Sequence, residues 1–454
     1  MNGDVKDTRL LTFLQRQIGK HGLEKTLPNF YHCGSQILQM PCSTKSVYLV
    51  ATTEKSKFFG VQTCRNSWGC PRCTAKVMAT FGSEIACAID ALAKWKNEYA
   101  IMVTFTLPHT SNMSCEETFL TLKDAWRMLM KAGNFRQRTG TDRKNNKRRG
   151  DDVWGAFREN LHIKHFVRVY EFTYGKNSWH PHIHALFWIP KKLFNQCVDY
   201  EPKLVERWWH CCKYSYRKYL NLKFPNNEVE NEFNVETLFS DWRKSHPSLY
   251  ISKDELGRPI PQKSSSYISG WNANFELTNV HLKEAHRTHY TPFQLLDRAH
   301  EYRNNDEKRE RFLSLFFDYL ITVRGHKRVH FSARSGIKEI IKAWQATEHY
   351  IETFKKKFMD KVADKWKVVV WFKSDDWSKL CMTELTTDVS LKSKLLKLAT
   401  KPNAKELIDK LLEQYDIKCQ GRTGNFDPFI RKEISRIEKG INSVENALQH
   451  ATAA

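Results

Sequence analysis

The sequence predicts an α+β protein. An antiparallel sheet is flanked by helices, with a cysteine-bearing module before it and a helical lobe at the C-terminal end. Three observations predict this. Residues 99–107, 165–174 and 182–188 are dense in β-branched and aromatic side chains, the composition of strands. The second and third of these flank Gly175-Lys176-Asn177-Ser178, a turn signal that makes them an antiparallel pair. Between and beyond them run stretches with helical apolar spacing. With 454 residues the chain is too long for one ordinary domain. Its 41% apolar and 13% aromatic residues can fill a core, which excludes wholesale disorder.

Taken in order, residues 1–30 form an N-terminal helical segment, with apolar positions Leu10, Leu11, Leu14 and Ile18 inside a helix over 8–25. Residues 31–98 hold the cysteine module: an irregular stretch over 31–74, then a helix over 75–95. Residues 99–300 form the sheet domain. It opens with the buried strand 99–107 and a helix over 115–131. Residues 134–152 are polar and strongly basic, the signature of an exposed loop. The strand pair follows, then an aromatic, basic helix over 201–220 and a loop punctuated by Pro259 and Pro261. Residues 301–454 read as mostly helical, interrupted by one apolar strand at 368–372.

The net charge is +23, which calls for a polyanionic partner. A membrane-surface protein would concentrate its cations on one amphipathic helix. Here they run from end to end, among 14 Trp, 16 Tyr and 27 Phe, a mixture suited to phosphate contacts and base stacking. No apolar run approaches the roughly 18 residues of a spanning helix, and residues 1–20 lack an apolar signal stretch. A cytoplasmic location follows as the expectation. The 12 cysteines are then reduced, and serve as metal ligands or core residues.

Cys64, Cys70 and Cys73 fall within ten residues, the last two as Cys-Pro-Arg-Cys. That turn lets two thiolates converge on one ion, and zinc takes four such ligands in a tetrahedron. Cys33, followed by Gly34, is the first choice for the fourth, with Cys42 and His32 as competitors. A redox Cys-x-x-Cys would instead sit at a helix start after a strand.

His182 and His184 alternate along a strand and so share one face. If the turn centres on Lys176–Asn177, Glu171 on the preceding strand lies opposite His182 on that same face. Two imidazoles and a carboxylate then form a divalent-metal set with open positions. A register shift of one residue would move Glu171 to the other face. Iron oxygenases and zinc hydrolases use related ligand sets, but neither accounts for the charge.

Over residues 33–338 the chain resembles the rolling-circle plasmid replication initiators of the HUH endonuclease class. Cys33-Gly34 with Cys64, Cys70-Pro71 and Cys73 is similar to the family's N-terminal zinc-type cluster. Val103-Thr104-Phe105-Thr106-Leu107-Pro108 resembles its first strand motif. His180-Pro181-His182-Ile183-His184 resembles its metal motif. Ser266-Tyr267-Ile268-Ser269-Gly270-Trp271, then Glu276-Leu277-Thr278 and Thr291 to Leu296, resemble the tyrosine motif and the block after it. Gly325-His326-Lys327, Ser332 and Gly336-Ile337-Lys338 resemble a further block. Two positions depart from the pattern. Gly270 stands where the family usually has lysine, and Lys263 where some relatives carry a glutamate for a second cleavage.

The resemblance implies an HUH endonuclease domain of RRM-like architecture over 99–300. Tyr267 would attack a phosphodiester of origin DNA, single-stranded at the nick, keep the 5′ phosphate and leave a free 3′ hydroxyl as primer. His182, His184 and Glu171 would hold magnesium or manganese, and Cys33, Cys64, Cys70 and Cys73 a structural zinc. The loop cations Arg136, Arg138, Arg143, Lys144, Lys147, Arg148 and Arg149 are DNA-gripping candidates, as is the helix bearing Arg207, Trp208, Trp209, Lys213, Arg217 and Lys218. Tyr290, Tyr216 and Tyr219 are alternative nucleophiles. A host helicase and polymerase are implied partners; membrane is not. Two rival readings stand beside this one: a transposase or relaxase of the same class, and a non-catalytic DNA-binding regulator.

Overall fold

The computed structural model describes residues 3–37, 46–130, 153–223, 249–262, 289–332, 335–347 and 367–421. Helices α1 (Gly3–Lys20) and α2 (Pro28–Tyr31) precede a hairpin of β1 (Ser46–Ala51) and β2 (Ser56–Phe59). Then come α3 (Thr74–Lys96), β3 (Glu98–Phe105), α4 (Cys115–Met130), α5 (Val153–Asn160), β4 (Phe166–Gly175) and β5 (Ser178–Pro190). A 3₁₀ segment (Lys191–Tyr200) leads into α6 (Glu201–Lys223) and β6 (Leu249–Ile251). Next are α7 (Pro292–Glu301), α8 (Asp306–Thr322), β7 (Val329–Phe331) and α9 (Ile337–Gln345). The remainder is β8 (Lys367–Lys373), α10 (Ser374–Thr386), α11 (Leu391–Leu398), α12 (Ala404–Glu413) and β9 (Gln420–Gly421). Among the described residues no helix is long and apolar enough to cross a membrane.

The fold is α+β, with two antiparallel sheets in two compact units. One unit spans Met78–Leu295 and Leu313–Ile341. Its sheet has the order β6-β3-β5-β4-β7. The β4–β5 hairpin turns at Lys176–Asn177 and pairs Glu171 with His182, the register expected from the turn signal. Because cross-strand partners share a face, the pairs Tyr170–Ile183 and Phe105–Ile183 put three apolar side chains on one side. Helices α4 and α6 cover that side. Phe105 meets Trp126 and Trp208 edge-on at 5.2 and 5.0 Å, and Phe119 meets Tyr170 at 5.1 Å. The buried Trp208 indole donates to the Thr106 carbonyl at 2.8 Å, so its one polar atom is satisfied. The opposite side carries Thr104, Val169, Glu171, His180, His182 and His184.

The other unit takes in Met1–Val77, Leu296–Phe312 and Lys342–Ala454. Its sheet has the order β2-β1-β8-β9. Val47 pairs with Phe372 and Leu49 with Val370, and these buried residues share a core with Phe58, Trp377, Leu395 and Ile408. Two expectations are corrected here. Residues 31–74 are not irregular throughout, because they contain the β1–β2 hairpin. The C-terminal region is not a lobe of its own, because β8 completes a sheet with β1. The local sequence hid this: β1 and β2 are short, and the strand that buries β1 lies far along the chain.

Candidate metal centres

The first centre sits on the side of the larger sheet opposite α4 and α6. Glu171 on β4 and His182 and His184 on β5 bring one ligand atom each to within 4.8 Å of one another. Both histidines point Nε2 at the same carboxylate oxygen, at 3.2 Å from His182 and 2.9 Å from His184. Ligands about 2.1 Å from a metal ion in an octahedron stand about 3.0 Å apart along its edges, so the spacing fits a small divalent ion. Glu171 is 4% and His184 8% exposed. Burial pushes the Glu171 carboxyl up. The hydrogen bonds and charges of His182 and His184 outweigh it and hold the group well below the ordinary carboxylate range.

Thr104 on β3 lies opposite His184, and its hydroxyl is 3.0 Å from His184 Nδ1. With Nδ1–H donated to Thr104, the tautomer leaves the Nε2 lone pair for a metal ion. The sequence placed Thr104 within the 103–108 strand motif without giving it a role; that role follows from register. His182 Nδ1 is buried with no hydrogen-bond partner among the described residues.

A second histidine row borders this centre. His109 Nδ1 lies 2.8 Å from the Asn177 carbonyl, and His109 Nε2 lies 2.8 Å from His180 Nδ1. The carbonyl can only accept, so His109 donates from Nδ1 and takes the His180 Nδ1 proton at Nε2. Burial, followed by the charges of His182, His109 and His289, holds His180 well below its ordinary value and therefore neutral. His289 packs on the hairpin end, where a Cβ on Gly175 would come within 2.2 Å of its ring. His109 and His289 carried no motif signal in the sequence.

The second centre joins Cys33, Cys64, Cys70 and Cys73. Cys33 Sγ stands 3.6 Å from Cys70 Sγ and 3.5 Å from Cys73 Sγ, and Cys64 N–H points to Cys33 Sγ at 3.5 Å. The Cys-x-x-Cys turn closes through Cys73 and Thr74 N–H groups on the Cys70 carbonyl, at 3.2 and 3.0 Å. Gly34 takes a positive φ of 72°, and its N–H bonds the Gln62 carbonyl at 2.8 Å, turning the chain back over the cluster. From α1, Gln15 donates to the Cys33 carbonyl at 2.9 Å. Hydrogen bonds from Cys33, Cys64 and Cys70 hold the Cys73 thiol well below its ordinary value, whereas burial pushes Cys70 up. Four convergent sulfurs, three of them buried, form a donor set that fits zinc. Of the competitors for the fourth position, His32 packs edge-on against Tyr31 at 5.1 Å, and Cys42 lies outside the described residues.

Tyr267 and the loop cations Arg136, Arg138, Arg143, Lys144, Lys147, Arg148 and Arg149 also lie outside the described residues, as do Lys263 and Gly270. Tyr216 is fully buried and its hydroxyl bonds the Pro108 carbonyl, so it is spent in the core. Tyr290 pairs its backbone with Tyr174. The α6 expectation needs correction in part. Trp208 and Trp209 are 0% and 7% exposed, so they pack the core and are not platforms for bases. No family model, curated protein or solved structure matches the chain.

Proposed function

We propose that the chain is a rolling-circle replication initiator of the HUH endonuclease class, which nicks origin DNA by tyrosine transesterification. The observation that supports it most is the convergence of His182 and His184 Nε2 on one Glu171 oxygen, on the sheet side that no helix of α4 or α6 covers. A bound divalent ion supplies Lewis acidity toward a scissile phosphate oxygen and neutralises developing charge. The hard phosphate ligand favours magnesium or manganese. The chain's own residues supply the rest. Glu171 offers a carboxylate held ionised by its histidines. Thr104 sets the His184 tautomer. Tyr267 attacks phosphorus: the phenolic O–P bond forms and the P–O3′ bond breaks. The phenol loses its proton and the departing 3′ oxygen gains one. The 5′-phosphotyrosine conserves the energy of the broken bond for later rejoining. In this reading the zinc on the four cysteines is structural and the +23 charge serves DNA binding.

The test is cleavage of supercoiled plasmid carrying the origin, with and without manganese. Wild type gives nicked circles and a covalent 5′ adduct only with metal. Tyr267→Phe and His184→Ala give neither while still binding DNA. Adduct retained by Tyr267→Phe would pass the nucleophile role to Tyr290 or Tyr219. Binding without nicking at any metal concentration would make the chain a regulator.

A further inference from the structure

A cavity of about 430 Å³ lies wholly within the unit that carries the cysteine cluster. Helix α1 lends it Arg9, Phe13, Arg16 and Lys20, positions spaced to share one helix face. Facing them are Arg303 and Arg309 near the start of α8, and Lys394 and Lys397 on α11. Among the described lining residues, Asp388 is the only acid. It pairs with Arg16 at 3.3 Å, and Arg309 is held by Asp306 and Glu310 at 2.7 and 2.8 Å. Among the described residues Arg9, Lys20, Arg303, Lys394 and Lys397 have no carboxylate within ion-pair distance. Five cations around one hollow repel one another, and a polyanion in the hollow relieves that repulsion.

Two buried polar atoms on the same lining lack partners among the described residues, and one of them, Gln17 Oε1, calls for a donor that bare phosphates do not carry. Gln17 is 4% exposed, and its Oε1 has no hydrogen-bond partner; neither has Arg9 Nε. The first needs a donor and the second an acceptor. The Phe13 ring stands edge-on to His300 at 5.2 Å, giving an aromatic wall. Burial, then the charges of Arg9 and Arg303, lowers the His300 pKa to about 4, so that wall is uncharged at neutral pH.

We propose that this cavity binds a nucleoside polyphosphate, with its phosphates on Arg303, Lys394, Lys397 and Lys20 and its base or sugar toward Gln17 and Phe13. The volume falls within the range of small-ligand sites, about 300–1,000 Å³. A strand-binding groove would instead track a backbone past several aromatic platforms. The inference does not depend on the nicking reading.

The experiment is fluorescence titration of the full chain with N-methylanthraniloyl-ATP, and competition by ATP, tripolyphosphate and an oligo-dT strand. Wild type binds the probe saturably, one per chain. Lys394 and Lys397 are exposed, so Lys394→Glu with Lys397→Glu keeps the fold, checked by its melting curve, and weakens binding at least about tenfold. Gln17→Leu weakens ATP but not tripolyphosphate. No saturable binding below about 1 mM, affinity unchanged in the double variant, tripolyphosphate as effective as ATP, or oligo-dT displacing the probe better than ATP would each overturn the proposal.

Discussion

Replacing Cys70 by serine should empty the cysteine centre of zinc and unfold its surroundings. Cys70 is 0% exposed and stands 3.6 Å from Cys33 Sγ. Zinc–sulfur bonds of about 2.3 Å in a tetrahedron place sulfurs about 3.8 Å apart, so the centre needs shifts of only a few tenths of an ångström to hold the ion. Structural zinc binds peptides of this kind with an apparent 10–16 kcal/mol, roughly the whole stability of an ordinary domain at about 5–15 kcal/mol. The serine hydroxyl does not replace a thiolate, and losing even a third of the zinc contribution removes about 3–5 kcal/mol. Elemental analysis should find one zinc per wild-type chain and only traces in Cys70→Ser. Thermal melting of the variant should match wild type treated with a strong chelator. Cys87→Ser is the control, since Cys87 is 3% exposed yet outside the cluster. Wild-type chain free of zinc, with four thiols titrating as ordinary cysteines, would refute the reasoning; so would full zinc in Cys70→Ser.

Thr104→Val removes the acceptor for the His184 Nδ1 proton and should weaken manganese binding about 10–100-fold, read by calorimetry, with zinc content unchanged. Glu171→Gln should abolish that manganese binding and leave DNA affinity in place. Trp208→Ala empties a fully buried site where α6 packs on Phe105 and should cost about 3–5 kcal/mol in chemical denaturation. His300 is neutral in the folded chain down to about pH 4, whereas the unfolded chain protonates it near 6.5. Stability from this group is therefore complete above pH 6.5 and falls as pH drops toward 4. After discounting for solvent screening the loss is about 1–2 kcal/mol, and His300→Asn should flatten that part of the pH–melting curve.

The metal face was legible because strand alternation and turn chemistry are local. Gly175-Lys176-Asn177-Ser178 sets the register, and register alone places Glu171 opposite His182. The cysteine spacing was legible for the same reason, with Cys33 supplied by a turn at Gly34. What was hidden depended on distant partners. β1 reads as a short apolar run until β8 pairs with it. Trp208 and Trp209, set among Arg207, Lys213 and Arg217, looked like a basic, base-stacking surface. Which side of α6 faces Phe105 is decided by the sheet beneath it. Thr104 and His109 matter only because β3 and the segment after it lie beside β5, which no local pattern announces.

The pairing of β1 with β8 also bears on how the chain emerges from the ribosome. The unit with the histidines and Glu171 has all its segments by Ile341. β1 must wait until Phe372 and Val370 have been made before its inner edge finds a partner. During that interval Val47 and Leu49 sit on an unpaired edge, the kind that recruits other chains. Translation paused or truncated between Ile341 and Lys367 thus yields a chain with one finished unit and one adhesive strand. Early zinc capture by Cys33, Cys64, Cys70 and Cys73, all synthesised before Thr74, would hold the growing N-terminal segment compact while it waits.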